Sequence, residues 1–302
     1  MHKRLWNALR LEFIITPKGP LLVKSGTLSP NPALPDMQFV RTTTPQGETV
    51  FIPGSSLKGV FRSFTEKVLR TVDERLTCNP VNREESCENT RLKNLDEKAL
   101  DYTAQVYKKS CHACKIYGNT RLRGRLGFQD AYPQGNVKTE TRYGVAISRL
   151  TNAVAQGPFE MEIVVSGQFK GALTLENFEV WQLGLLALTI RAINEGLVKI
   201  GFGKNRGFGE VDFRVTKATL DFARTNDPIP PTEIWGVGAF VRDDEERRNY
   251  GLKEDDRLTD LPEVEQTDLA ILFRRVRERE VWGKVAEKAL ERLPQLLGVE
   301  KG

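Results

Sequence analysis

Residues 51–63 read FIPGSSLKGVFRS. Two apolar residues run into Pro53-Gly54, two hydroxyls follow, and apolar side chains then recur at three- and four-residue spacing. This is a strand end turning into a helix. Ser55 or Ser56 is suited to cap the first free N–H groups. Leu57, Val60, Phe61, Phe64, Val68 and Leu69 share one face of a helix over residues 55–72. Gly54 and Gly59 leave room for another backbone to come close. Free N–H groups at a helix start, beside Ser55, Ser56, Lys58 and Arg62, suit an anion. An ordinary capped helix with solvated cations accounts for the same pattern. No Gly-Lys-Ser/Thr stands at Walker A spacing.

Upstream, Leu9, Leu11, Phe13 and Ile15 alternate with Arg10, Glu12 and Ile14, which predicts a first strand. Residues 17–50 between them, rich in Pro, Gly, Ser and Thr, read as a long loop with room for a short hairpin; such loops in compact domains are usually functional or disordered. Downstream, RLRGRLGFQDAYP (121–133) and FEMEIVVSGQF (159–169) read as strands. Residues 175–196 read as an apolar helix burying Phe178, Leu183, Leu185, Leu186, Leu188 and Ile193. GFGKNRGFGEVDFRV (201–215) reads as a glycine loop entering a last strand. The order strand, helix, strand, strand, helix, strand is the α+β, ferredoxin-like pattern. Residues 222–266 read as an acidic loop hinged at DPIPP. Residues 268–297 read as an amphipathic helix or helix pair on Leu269, Phe273, Val276, Val285 and Leu293, docked on the body or on a neighbour.

The chain of 302 residues has room for one large domain or two small ones. Its 39% hydrophobic and 28% charged residues describe a soluble globular protein, and no apolar run nears the ~18 residues of a membrane span. The first residues are too polar for a signal peptide. A cytoplasmic protein with no membrane partner is the expectation. Residues 1–215 carry 30 lysines and arginines against 21 acids, whereas residues 216–302 carry 15 against 19. A basic body with an acidic tail fits a polyanionic partner, although solubility alone accounts for such an imbalance.

Cys111-His112-Ala113-Cys114 has C-x-x-C spacing, with Cys78 and Cys87 upstream. Four thiolates suit a closed tetrahedral zinc site, and without an export signal metal binding outranks disulfides. A redox pair lacks thioredoxin-like surroundings; free thiols are the plain alternative; His112 is available in place of a distant cysteine. The segments joining these residues are polar, so a metal, worth on the order of 10 kcal/mol to local folding, is expected to be their main source of order. In the glycine loop, Gly201, Gly203, Gly207 and Gly209 surround Lys204 and Arg206, offering N–H groups and cations to phosphate; a tight hairpin uses the same residues.

Taken in order along about 215 residues, FIPGSSLKGVFRS, CHACKIYGNTRLRGRLGFQDAY, TRYGVAISRLTNAV and GFGKNRGFGEV resemble the RAMP superfamily of CRISPR–Cas proteins. The likeness is to the backbone, palm-and-thumb, subunits of type III effector complexes. It implies a palm over residues 1–215 with a zinc-binding insertion (about 73–120) and a thumb (about 134–158). An acidic linker and helical extension, 216–302, lie outside it. Guide-RNA (crRNA) phosphates would rest on Ser55, Ser56, Lys58 and Arg62, with Lys204 and Arg206 lining the same palm. Arg142, Tyr143, Val145, Ile147 and Arg149 would be wedge or backbone contacts of the thumb. The implied partners are guide RNA, complementary target RNA, neighbouring backbone subunits and other effector subunits.

In slicing members of the family, a loop aspartate ahead of the Pro-Gly-Ser-Ser motif serves metal-dependent target cleavage. Asp36, in NPALPDMQFV, occupies the matching position. With magnesium or another divalent ion, the ribose 2′-OH would attack the adjacent phosphate and leave a 2′,3′-cyclic phosphate. The loop PKGPLLVKSGTLSPNPALPD is poorer in glycine than is usual in the family. A non-catalytic, structural RNA-binding subunit is the alternative. A guide-processing endoribonuclease ranks lower, since such enzymes often use histidine and the chain has only His2 and His112.

Overall fold

Alternation along the first strand becomes a two-sided partition in the computed structural model, which describes residues 3–26, 35–45, 47–225 and 228–298. Leu9, Leu11, Phe13 and Ile15 of strand Asn7–Pro17 are fully buried, while Arg10 and Glu12 lie on the opposite face. The strand is paired along both sides, antiparallel to Phe169–Glu176 and to Val211–Ala223. Leu126–Phe128 extends the sheet beyond the former; Leu272–Glu278 and then Gln266–Asp268 extend it beyond the latter. The main sheet is antiparallel throughout, and with its helices the fold is α+β.

Helix Gly54–Val72 buries Leu57, Val60, Phe61 and Leu69. Phe61 sits between Phe128 and Phe213, with ring centroids 4.9 and 5.7 Å away. Each such side chain contributes about 1.5–3 kcal/mol through burial. Helix Val180–Asn194 is buried almost all round. One reason is helix Arg279–Leu296: the Ala289 carbonyl and the Leu293 side chain press on Gly184. Among the described residues, no helix is long and apolar enough to cross a membrane.

Three segments depart from the periodicity reading. Of residues 121–133, Leu122–Arg123 folds back on Gly118–Asn119, and only Leu126–Phe128 and Tyr132–Pro133 reach the main sheet. Residues 159–169 do not form one sheet strand. Val154–Ser166 pairs with Lys138–Ile147 as a long hairpin off the main sheet, and Phe169–Glu176 is the strand beside the first. Its alternation is real, because Met161 and Ile163 are buried. This stretch pairs with the loop after the first strand: Leu21 with Val164, and Met37 with Met161.

In the tail, Leu272–Glu278 is a strand and only Arg279–Leu296 is a helix. Two buried positions of that strand are Arg275 and Arg277, where a period-two pattern should show apolar residues. The arginines disguise the strand. The long loop contains the hairpin Arg41–Thr44 with Gly47–Val50. His2, residues 27–34 and the aspartate of DPIPP lie outside the described residues.

The helix start also differs in detail. Pro53 is the N-cap, and neither serine hydroxyl caps the helix. The Gly54 N–H instead donates to Asp130 Oδ1 at 2.7 Å. A Cβ on Gly54 would lie 2.5 Å from the Phe128 carbonyl oxygen, whereas one on Gly59 would meet open space. Gly54→Ala should therefore cost about 1–3 kcal/mol, and Gly59→Ala should stabilise the helix by up to about 1 kcal/mol. Denaturant midpoints check both. A harmless Gly54→Ala would mean that helix and strand do not approach in this way.

Candidate functional site

Helix Gly54–Val72, the glycine loop and the residues after the first strand enclose a groove of about 540 Å³. Ser56, Gly59, Ser63 and Lys67 form one stripe of the helix along its wall. Lys24, Lys199 and Lys204 approach from the other segments, with Phe202 and Leu197 as apolar surface. Among the described residues, the lining contains four lysines and no carboxylate, so the groove is a concentrated positive surface. At 100° per residue, Lys58 and Arg62 point away from this stripe. Lys58 has its pKa lowered by burial and then by the neighbouring Arg62 charge. Arg62 pairs with Glu66 at 2.7 Å and donates to the Gly118 carbonyl at 3.2 Å.

The glycine loop is held by main-chain bonds to the segment that leaves the first strand. The Phe202 N–H donates to the Leu22 carbonyl at 2.7 Å, and the Gly209 N–H to the Pro20 carbonyl at 2.9 Å. Gly209 has φ +85°, and any side chain there would run into the Ile200 carbonyl. Residues Lys204–Arg206 form a single 3₁₀ turn between two left-handed glycines, Gly203 and Gly207. Lys204 faces the groove, while Arg206 is exposed on the turn outside its lining.

The hairpin of Lys138–Ile147 and Val154–Ser166 projects beside this loop. The Arg142 guanidinium lies 5.5 Å from the centroid of the buried Phe208 ring. Tyr143, Val145, Ile147, Leu150 and Val154 are exposed apolar side chains on the outer part of the hairpin, and Arg149 is exposed at its tip. Asp36 sits alongside the middle of the hairpin: its Oδ2 accepts the Glu160 N–H at 2.9 Å. Glu160 is the cross-strand partner of Tyr143, and Met161 that of Arg142. The register thus brings Asp36 one strand away from Arg142 and Tyr143. Nearby, Glu162 pairs with Arg41 and accepts from the Phe39 N–H at 3.1 Å.

All four cysteines converge. Cys78, Cys87, Cys111 and Cys114 are buried, none is in a disulfide, and their sulfurs lie within 4.8 Å of one another. Cys78 Sγ and Cys114 Sγ are 3.7 Å apart; tetrahedral ligands at the Zn–S length of 2.3 Å would be separated by about 3.8 Å. The Cys114 N–H points at Cys111 Sγ (3.4 Å) and the Cys111 N–H at Cys87 Sγ (3.3 Å), while Arg62 approaches Cys114 Sγ at 3.8 Å. Such donors support thiolates. The donor set fits a thiophilic divalent metal ion, which would cross-link the insertion. His112 is not a ligand: it packs edge-on against Trp181, with centroids 5.0 Å apart. Burial and then Lys115 push its pKa down to about 4.

The insertion is less dependent on metal than its polar sequence suggests. Leu92, Ala104, Val106, Tyr107, Ile116 and Tyr117 join the main core. Tyr107 donates to Glu179, and Arg125 lies 3.9 Å from Glu179 and 3.9 Å above the Tyr107 ring. From the tail, Asp256 accepts from the Val180 and Gly238 N–H groups at 2.8 and 3.0 Å. Burial, followed by the Glu179 charge, pushes Asp256 up to about 7. A second cleft of about 260 Å³ lies near this cluster, lined by Arg121, Arg123 and Arg125. Arg121 and Arg125 already face Glu97 and Glu179, so it is a weaker anion site than the lysine groove.

Sequence reading missed Lys24, Lys67, Lys199 and Asp130. Lys67 was accessible, since it continues the stripe of Ser56, Gly59 and Ser63; the others come together only through the fold. The purified protein should carry about one metal ion per chain, measurable by elemental analysis, and Cys111→Ser should release it. Because residues 102–117 are tied into the core, faster amide exchange should appear mainly in residues 73–98. Metal-free protein from a chelator-free preparation overturns the assignment.

A family model described as the RAMP superfamily matches residues 14–212. No curated protein matches the chain. The matched span runs from the first strand through the helix, the cysteine cluster, the hairpin and the glycine loop, and by it the chain belongs to the RAMP superfamily.

Proposed function

We propose that this CRISPR-associated RNA-binding protein is a backbone subunit of a type III effector complex, holding guide RNA and cleaving complementary target RNA. The lysine groove carries the reading. Four flexible cations with no carboxylate between them suit phosphates and read no sequence, which is what a subunit serving many guides needs. The four central strands, Val211–Ala223, Asn7–Pro17, Phe169–Glu176 and Leu126–Phe128, support a ferredoxin-like palm. The projecting hairpin supports a thumb, with Tyr143, Val145 and Ile147 as a wedge and Arg142 and Arg149 as backbone contacts. Ser55, Ser56, Lys204 and Arg206 remain assigned to guide RNA; Lys58 and Arg62 take a secondary place behind Lys24, Lys67 and Lys199. Neighbouring backbone subunits and other effector subunits are the protein partners, and zinc is the structural metal of the cysteine site.

For cleavage, Asp36 is the residue assigned. Its Oδ2 is oriented by the Glu160 N–H, which leaves Oδ1 for a ligand or a hydroxyl. The 2′-oxygen of the ribose would bond to phosphorus, the bond to the 5′-oxygen would break, and the products would be a 2′,3′-cyclic phosphate and a 5′-hydroxyl. Asp36 and RNA oxygens would together hold a divalent ion such as magnesium, whose charge stabilises the phosphate. One observation favours the purely structural reading. Among the described residues, the only cluster of three or more metal-ligating groups is the four cysteines, so Asp36 does not belong to such a cluster.

RNA affinity should fall with salt at a log–log slope of roughly −0.7 per phosphate contact on single strands. Lys67→Ala and Lys204→Ala should each flatten the slope by about that amount for any sequence, and Lys58→Ala should flatten it less. Equal effects from all three would remove the groove as the binding surface.

Asp36→Ala in the assembled complex should retain guide and target binding while losing the cut opposite this subunit, a drop of about 10²–10⁴-fold. EDTA should abolish the same band. If wild-type complex makes no such cut, the structural reading stands. If Asp36→Ala cuts normally, the residue assignment is wrong.

A further inference from the structure

We infer that the C-terminal arm, residues 266–296, is a releasable strap on the sheet, and that Arg277 is the built-in element that weakens its hold. The arm consists of strand Gln266–Asp268, strand Leu272–Glu278 and helix Arg279–Leu296. It docks by pairing Leu272–Glu278 with residues 217–223 and by packing its helix on Gly184.

Two arginines of this strand are buried, and they are treated very differently. Arg275 is 1% exposed and fully engaged. It donates to the carbonyls of Ile229 (2.6 Å), Pro230 (3.0 Å) and Glu233 (2.8 Å), and to Gln266 Oε1 (2.8 Å). Arg277 is 0% exposed, yet its Nε and both terminal nitrogens are buried without a hydrogen-bond partner among the described residues. Among the described residues no carboxylate compensates it, and its charged neighbour is Arg275, a like charge. Burying an unpaired guanidinium opposes the docked state. Undocking returns Arg277 to water, so the penalty falls on this arm and on no other part of the sheet. Release would bare the edge of Val211–Ala223, with its row of free N–H and C=O groups.

Amide hydrogen exchange on the full-length, metal-loaded chain tests it. Arg277→Met keeps the length and apolar stem of the side chain while removing the charge. It should slow exchange of residues 272–278 roughly tenfold or more and raise the melting temperature by about 2–4 °C. Exchange in residues 7–17 below the global limit should not change. Arg275→Met, which strands three carbonyls, should do the opposite and speed exchange of 272–278 at least about tenfold. If Arg277→Met speeds exchange, leaves it unchanged or prevents folding, then Arg277 supports the arm and the inference is overturned.

Discussion

The segment from Asn7 to Leu22 is the constraint on which the rest depends. Its first half is a strand hydrogen-bonded on both sides, so neither edge is free and every inward side chain is sealed. One irregularity, between Glu12 and Phe13, shifts its register against Val211–Ala223, and the Thr216 hydroxyl donates to the Glu12 carbonyl there at 3.1 Å. Its second half leaves the sheet and immediately becomes a mounting rail. Lys18, Pro20 and Leu22 bond the glycine loop and the residues just beyond it, while Leu21 bonds the hairpin at Val164. Loop and hairpin come from chain positions far apart, yet both take their position from the same few peptide groups. A backbone mount of this kind does not use the side chains of the rail, which leaves those of Leu21 and Leu22 to fill the core.

The cations divide by type. Lysines gather in the groove, where a compact, hydrated charge on a flexible stem can follow a phosphate. Arginines tend to be spent inside the protein, where a planar fork satisfies several fixed acceptors at once. Arg62 braces Glu66, Gly118 and Cys114; Arg41 holds Glu162; Arg125 joins Glu179 to Tyr107; Arg275 gathers three carbonyls. The net charge of +5 conceals this division, since a formal count weighs both residue types equally.

Local signals that repeat were legible in the sequence. Four alternating apolar residues gave away the first strand, the helix of residues 54–72 announced itself within one residue, and the C-x-x-C pair pointed to a site that the fold completes with Cys78 and Cys87. What was illegible depends on partners distant in the chain. Nothing near Gly54 reveals that Asp130 will take its N–H group. Nothing in FEMEIVVS says whether its buried face meets the main sheet or the loop after the first strand. The tail strand was hidden for a different reason: Arg275 and Arg277 occupy buried positions, and a pattern based on hydropathy counts them as surface. Lys58 and Arg62 illustrate the converse case. They stand beside the serines in sequence, but helical geometry turns them to another face, and one of them serves the cysteine cluster.

The hairpin has a practical consequence. Tyr143, Val145, Ile147, Leu150 and Val154 are held in water on a two-stranded ribbon outside the main sheet. A ribbon of two strands has little stability of its own, and a contiguous apolar surface in solvent favours association. A solitary chain at high concentration will tend to hide this ribbon against whatever is at hand, including its own copies. Handling is therefore gentlest when the ribbon is already occupied. Co-expression with its assembly should yield a better-behaved sample than purification of the chain alone.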